Sequence, residues 1–112
     1  MSTQTNALTA DLLCEIPKRF RGTRVWRCTS GMLYDRSGRP VRIVRINGLP
    51  VIQGVLAPYG RFLGVEVKAG SDKQSPVQKQ AELVIRTAGG IYIVAKSIDQ
   101  CIADLLQLCG PA

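Results

Sequence analysis

Gly60-Arg61-Phe62-Leu63-Gly64-Val65-Glu66-Val67-Lys68 is the most informative run in this chain. Leu63, Val65 and Val67 alternate with Phe62, Gly64, Glu66 and Lys68, which predicts a strand. Alternation places Glu66 and Lys68 on one face, roughly 7 Å apart along the strand. Most such pairs are exposed ion pairs on half-solvated strands. The same pair is also the smallest apparatus for metal-assisted phosphodiester cleavage. The carboxylate holds a divalent cation, and the lysine orients water or stabilises developing negative charge. The flanking sequence has to choose between the two.

Upstream, Pro58-Tyr59-Gly60-Arg61 reads as a turn that joins this strand to Leu49–Leu56 in a hairpin. A two-residue loop at Tyr59-Gly60 predicts that Val51 falls opposite Lys68 and Gln53 opposite Glu66. Positions 51 and 53 would then share the face of Glu66 and Lys68. Further back, Thr23–Cys28 and Val41–Ile46 are strand candidates, separated by the turn Asp35–Pro40. Leu8, Leu12, Leu13 and Ile16 recur at helical spacing and predict a helix over 6–16. Asn6 or Thr9 would be its N-cap, and Pro17 its stop. Asp11 and Glu15 share one face of that helix, where paired acids are commonplace.

Downstream, Ser75-Pro76-Val77-Gln78 forms a capping box with proline at the first helical position. It predicts a helix to about Ala88, stopped by Gly89-Gly90. Ile91–Ala95 is a short buried strand. Ser97 and Gln100 form a second capping box for a helix through Cys109. The order is helix, several strands, helix, strand, helix: one α/β (α+β) domain over 1–112, with a mixed central sheet flanked by helices.

Composition narrows the function. The chain has no histidine, and its four cysteines lack C-x-x-C spacing. That removes histidine-based acid–base and triad chemistry and argues against structural zinc. No apolar run is long enough to cross a bilayer, and the first residues lack signal-peptide character, so a soluble cytoplasmic protein is expected. The net charge of +7 is concentrated. Lys18, Arg19, Arg21, Arg24, Arg27, Arg36, Arg39, Arg42 and Arg45 face a single acid, Asp35, between positions 18 and 45. Arginine grips phosphate with a fork of donors, so a nucleic acid fits better than a merely solvated face. Arg24, Arg27, Arg42, Arg45 and Lys73 are the candidate DNA contacts.

Three runs in order then resemble a known family. They are Gly60–Lys68, Ser75-Pro76-Val77-Gln78-Lys79, and Ala88-Gly89-Gly90-Ile91-Tyr92-Ile93-Val94-Ala95-Lys96-Ser97. Together they are similar to the VRR-NUC nucleases of the PD-(D/E)XK superfamily, in particular the short stand-alone versions of phages and prophages. The resemblance covers about residues 20–108. Trp26-Arg27, Gly31 and Gly48-Leu49-Pro50 extend it. It implies a restriction-endonuclease-like core and a magnesium or manganese site with no small-molecule cofactor. It also implies a homodimer that hydrolyses branched or flapped DNA in a bacterial or phage-infected cell. By position Glu66 would be a metal ligand, Lys68 the catalytic lysine and Gln78 the supporting helix glutamine. Tyr92 would either line the site or simply pack, with packing favoured.

One departure matters. The family continues Gly-x-Pro with a metal-binding aspartate, whereas here Val51 follows Pro50. A valine offers no oxygen, which leaves Gln53 to supply a neutral one and Asp11 or Glu15 as distant acids. Cys28-Thr29 also stand where the family often carries asparagine. Two functions follow: a metal-dependent nuclease with an impaired site, or an inactive nuclease fold that binds DNA or a protein, for example at junctions or against a host defence.

Overall fold

A computed structural model describes residues 3–28, 32–42 and 48–109. Four strands form the main sheet: β1 (Arg24–Arg27), β4 (Ile52–Leu56), β5 (Arg61–Val67) and β6 (Ile91–Ala95), side by side in that order. β1, β4 and β5 run antiparallel, and β6 joins β5 in parallel, so the sheet is mixed as expected. The parallel pair needs a crossover, and α2 (Pro76–Thr87) provides it. β2 (Met32–Tyr34) and β3 (Pro40–Arg42) form a separate two-stranded ribbon.

One face of the sheet carries Ile52, Leu63, Val65, Val67, Ile91, Ile93 and Ala95. It is buried under Leu12 and Ile16 of α1 (Thr3–Arg19) and Cys101, Ile102 and Leu105 of α3 (Ile98–Cys109). The other face carries Trp26, Gln53, Gly64, Glu66 and Tyr92, and α2 covers it on the β6 side.

Glycines set how closely that second layer approaches. Gly48 has φ +76°, and a Cβ there would lie 2.6 Å from the Val77 carbonyl oxygen in the first turn of α2. A Cβ on Gly64 would lie 2.7 Å from Cγ of the buried Pro50. The Gly48-Leu49-Pro50 segment is therefore clamped between α2 and β5, which is the physical content of that sequence motif.

α1 extends beyond the predicted span of 6–16 at both ends and contains Pro17. Pro17 lacks one donor near the helix end, yet Ile16 and Phe20 are both buried, and Phe20 N–H still donates to the Ile16 carbonyl at 2.9 Å. Burial of these flanking side chains holds the last turn. The hairpin register also differs from the prediction. Leu56 pairs with Arg61 and Gln53 with Gly64, so the loop has four residues, Ala57–Gly60. Gly60 N–H donates back to the Leu56 carbonyl at 2.8 Å. This shifts the register by two residues, and Gln53 stays on the predicted face because side chains alternate with period two. The strand expected over 41–46 is β3 as far as Arg42; its remainder, with Arg45, lies outside the described residues. Both helix caps form, with one change. Gln78 reaches Ser75 N–H, but the Gln100 side chain accepts from Lys96 N–H rather than from Ser97.

Gly48→Ala should lower stability in urea unfolding by about 1–3 kcal/mol more than Gly70→Ala. Both glycines have positive φ, but a Cβ on Gly70 meets nothing within 4 Å. Equal losses would mean that backbone conformation alone, and not the approach of α2, requires glycine at 48.

Candidate functional site

Glu66 lies on β5, in the middle of the sheet, between β4 and β6. It is not the half-solvated acid of an exposed ion pair, because only 2% of the residue is accessible. A buried carboxylate needs partners. Tyr92, on β6 and the same face, donates its hydroxyl to Glu66 Oε1. Gln74, in the loop before α2, donates to the same oxygen at 3.3 Å. Lys68 Nζ stands 3.9 Å from Oε2, too far for a hydrogen bond but close enough for attraction. Oε2 is buried and has no hydrogen-bond partner.

The Gln74 nitrogen is shared. It also donates to Glu82 Oε1 at 2.9 Å, so one amide ties an acid of α2 to the central acid. Arg86 donates to Glu82 at 2.7 Å and to the Tyr92 carbonyl at 3.1 Å, which closes the network. Partial burial disfavours ionised Glu82, but the hydrogen bonds from Gln74 and Arg86 prevail and hold its carboxyl below the usual carboxylate range. Burial, then the hydrogen bond to Glu66 and its charge, push the Tyr92 phenol well above its ordinary value. Tyr92 is therefore a fixed donor at neutral pH. It packs as expected, but it also holds the acid.

The structure brings Glu66 and Lys68 together but not every predicted site residue. Gln78 sits in the first turn of α2 with its carbonyl oxygen taken up by Ser75 N–H at 2.8 Å. Gln53 is half-buried on the Glu66 face, level with Gly64. Val51 lies at a bend just before β4 and packs against the apolar cluster. Asp11 lines an open depression of about 390 Å³ with Lys68 and Lys96, so this acid stands nearer the lysine than expected. Glu15 instead pairs with Lys18 and Arg19 at 3.8 and 3.6 Å. Arg24, Arg27, Arg42 and Lys73 are exposed, on β1, β3 and the loop before α2.

The sequence reading missed Gln74 and Glu82. The signal available for Glu82 was its spacing of four from both Gln78 and Arg86 on one helix face. Nothing local marks Gln74, whose importance comes from where its loop lands.

A solved structure described as a VRR_NUC domain matches with a TM-score of 0.59, over 97% of this chain and 99% of that one, at 24% identity. The chain has the VRR_NUC fold. No family model matches it, and no curated protein does.

The donors present can be set against the divalent cation that nuclease sites of this fold imply. The unpartnered Oε2 of Glu66 is one ligand in want of a partner. Against that, no group of three acidic, histidine or cysteine side chains is placed to hold a metal among the described residues. Position 51 contributes a hydrocarbon side chain. A magnesium ion resists dehydration and binds through one or two carboxylates in strict octahedral geometry. The protein side chains gathered here do not fit a resident magnesium ion by themselves.

Tyr92→Phe should cost about 1.5–3 kcal/mol in urea unfolding at neutral pH, the range for a hydrogen bond to a charged group. In a Glu66→Gln background the cost should fall to about 0.5–1.5 kcal/mol. Equal costs in both backgrounds would mean that the hydroxyl does not act through the carboxylate charge. Glu82 gives a pH signature. Because its folded pKa is depressed, its contribution is present above the ordinary carboxylate pKa and is lost as pH falls through the folded value. The stability gap between the protein and Glu82→Gln should therefore be full above the ordinary carboxylate pKa of about 4.3 and close as the pH falls below it.

Proposed function

We propose that this chain is a nuclease-fold protein that engages DNA through its basic surface and whose hydrolytic site is impaired. The supporting observation is the state of the two positions where such a site would need acids. Glu66 is retained but tied to Tyr92 and Gln74, while Val51 is packed against the apolar cluster. The DNA part of the reading rests on the net charge of +7 and on the exposed Arg24, Arg27, Arg42 and Lys73. Arginine clusters of this kind bind phosphate with little regard to sequence. Lys68, beside Glu66 and lining the Asp11 depression, is the lysine of the site that would meet a phosphate oxygen entering there.

A second reading, an active metal-dependent endonuclease, has an observation of its own. Oε2 of Glu66 is buried without a hydrogen bond, faced only by the Lys68 ammonium at 3.9 Å, which leaves it open to a ligand. In that reading Glu66 and Lys68 are catalytic, Gln78 supports them, and Gln53 adds a neutral ligand for Mg2+ or Mn2+. Branched or flapped DNA as substrate, a homodimer as the acting unit and a bacterial or phage-infected cytoplasm as the setting come with either reading, by analogy with VRR-NUC proteins.

A nicking assay on linear and branched DNA with manganese separates the two, run beside a binding measurement. We expect DNA binding with little or no cleavage by the natural chain, and a large gain in cleavage for Val51→Asp. Glu66→Ala added to that variant should abolish the gain. Cleavage by the natural chain as fast as by Val51→Asp would overturn the impaired-site reading in favour of the active enzyme.

A further inference from the structure

The β2–β3 ribbon is unlike the rest of the molecule. Met32, Leu33 and Tyr34 are 50, 60 and 71% exposed, three consecutive apolar residues that none of the described elements buries. Their partners in β3 are Arg42, Val41 and Pro40. The ribbon is not part of the main sheet, and β2 and β3 pack substantially only on each other among the described elements. An isolated two-stranded hairpin is marginal in water, so its persistence needs an explanation.

Its tip supplies part of one. The Asp35 carboxylate accepts hydrogen bonds from Ser37 N–H at 2.9 Å, Ser37 Oγ–H at 2.7 Å and Arg39 N–H at 2.9 Å. Asp35 N–H donates to the Arg39 carbonyl and Gly38 N–H to the Asp35 carbonyl, both at 2.9 Å. Gly38 takes the left-handed conformation, φ +87°, that closes the turn. The only acid of the ribbon is thus spent on its own backbone and held below the usual carboxylate range, first by the Ser37 hydroxyl. Arg36 and Arg39 are left exposed at a hydrogen-bonded tip.

Exposed apolar residues of this extent mark an interaction surface. A second copy of the chain is one way to cover them. A ribbon-to-ribbon contact would set Arg36 and Arg39 against a second chain that also carries +7, with the acid of each ribbon already engaged in its own turn. A polyanion removes that repulsion. A two-stranded ribbon has the width of a DNA groove, and apolar side chains beside arginines are a known means of gripping one.

We propose that residues 32–42 form an arm that enters a groove of duplex DNA. Arg36 and Arg39 contact the phosphates on the groove walls, and the Met32-Leu33-Tyr34 strand lies against sugars and base edges. This rests on the DNA reading above and adds a second foothold, separate from the Glu66–Lys68 site. The arm governs how tightly and in what orientation the duplex is held.

The test is fluorescence anisotropy with a labelled 30-base-pair duplex (a length of about three helical turns) across a salt series. It compares the full chain, Arg36→Ala/Arg39→Ala, Leu33→Ser/Tyr34→Ser and a body control, Arg24→Ala/Arg27→Ala. The arginine pair should weaken binding at least about tenfold and reduce the salt slope by about 2, one for each lost phosphate contact. The Leu33/Tyr34 pair should weaken binding with the slope unchanged. Thermal melting of both ribbon variants should match the parent, because neither touches the main core. Parental affinity in both ribbon variants, with loss only in the body control, would overturn the arm while leaving the DNA reading intact. No binding by the parent chain would overturn both. Ribbon variants that keep DNA affinity but change sedimentation mass would show that the arm grips a second copy, and the proposal would fail.

Discussion

A carboxylate in the middle of a sheet dictates much of what surrounds it. Glu66 is 2% exposed, and an ion taken that far out of water is tolerated only with donors nearby. The sheet supplies one from the neighbouring strand, Tyr92, because β6 runs parallel to β5 and sets Tyr92 on the Glu66 face. The loop before α2 supplies another, Gln74, which then recruits Glu82 and, through it, Arg86. Arg86 returns to the Tyr92 backbone. The placement of α2 and the burial of Glu66 are therefore one problem solved together. Loss of either partner would leave the other polar group stranded, which is the costly half of any buried hydrogen bond.

The same layer is tightened by absences. Gly48 and Gly64 have no side chain where α2 backbone and Pro50 come within 3 Å of the Cβ position. Gly90 repeats the device at the far end of α2, where a Cβ would lie 2.8 Å from Cγ2 of Ile85. Arg61 fixes that end from outside by donating twice to the Gly89 carbonyl, at 3.1 and 3.0 Å. A guanidinium at a helix C-terminus is electrostatically favourable as well. This arginine serves the fold, which is why counting basic residues overstates the surface available to a polyanion.

What could be read from the sequence was whatever local chemistry encodes. The Ser75–Gln78 box, the proline at 76 and the Gly89-Gly90 stop bound α2, and Ile91–Ala95 is apolar enough to be a strand anywhere. The alternation around Glu66 gave its face correctly. Legibility failed where the outcome depends on distant parts of the chain. The register differs by two because the loop holds four residues, Ala57–Gly60, and the face is unaffected because two is the period of a strand. Pro17 reads locally as a stop, but burial of Ile16 and Phe20 outweighs one missing donor. β2 went unread although the turn after it was recognised; three residues are too few for a periodic signal, and its side chains face no core. Gln74 and Glu82 became site residues only when the loop and α2 closed over β5.

Position 51 is where the demands of folding and chemistry meet. It lies at a bend beside the first paired residue of β4, with its carbonyl accepting from Cys28 N–H at 2.7 Å, so the backbone there is fixed whatever the side chain. A valine at such a point gains by turning to the apolar cluster, which it does. An aspartate could not follow it there without leaving its charge unpaired, and would be driven instead towards water or a cation. The fold does not need the acid, and apolar packing at 51 helps to stabilise it. Glu66 then keeps one oxygen bound to Tyr92 and Gln74 and the other facing only Lys68. An ammonium at 3.9 Å offsets part of the charge without supplying coordination. The arrangement retains the electrostatics for attracting a phosphate while lacking the oxygens that would gather a magnesium ion. If the chain engages DNA as proposed above, holding the duplex and cutting it are separable properties of this architecture.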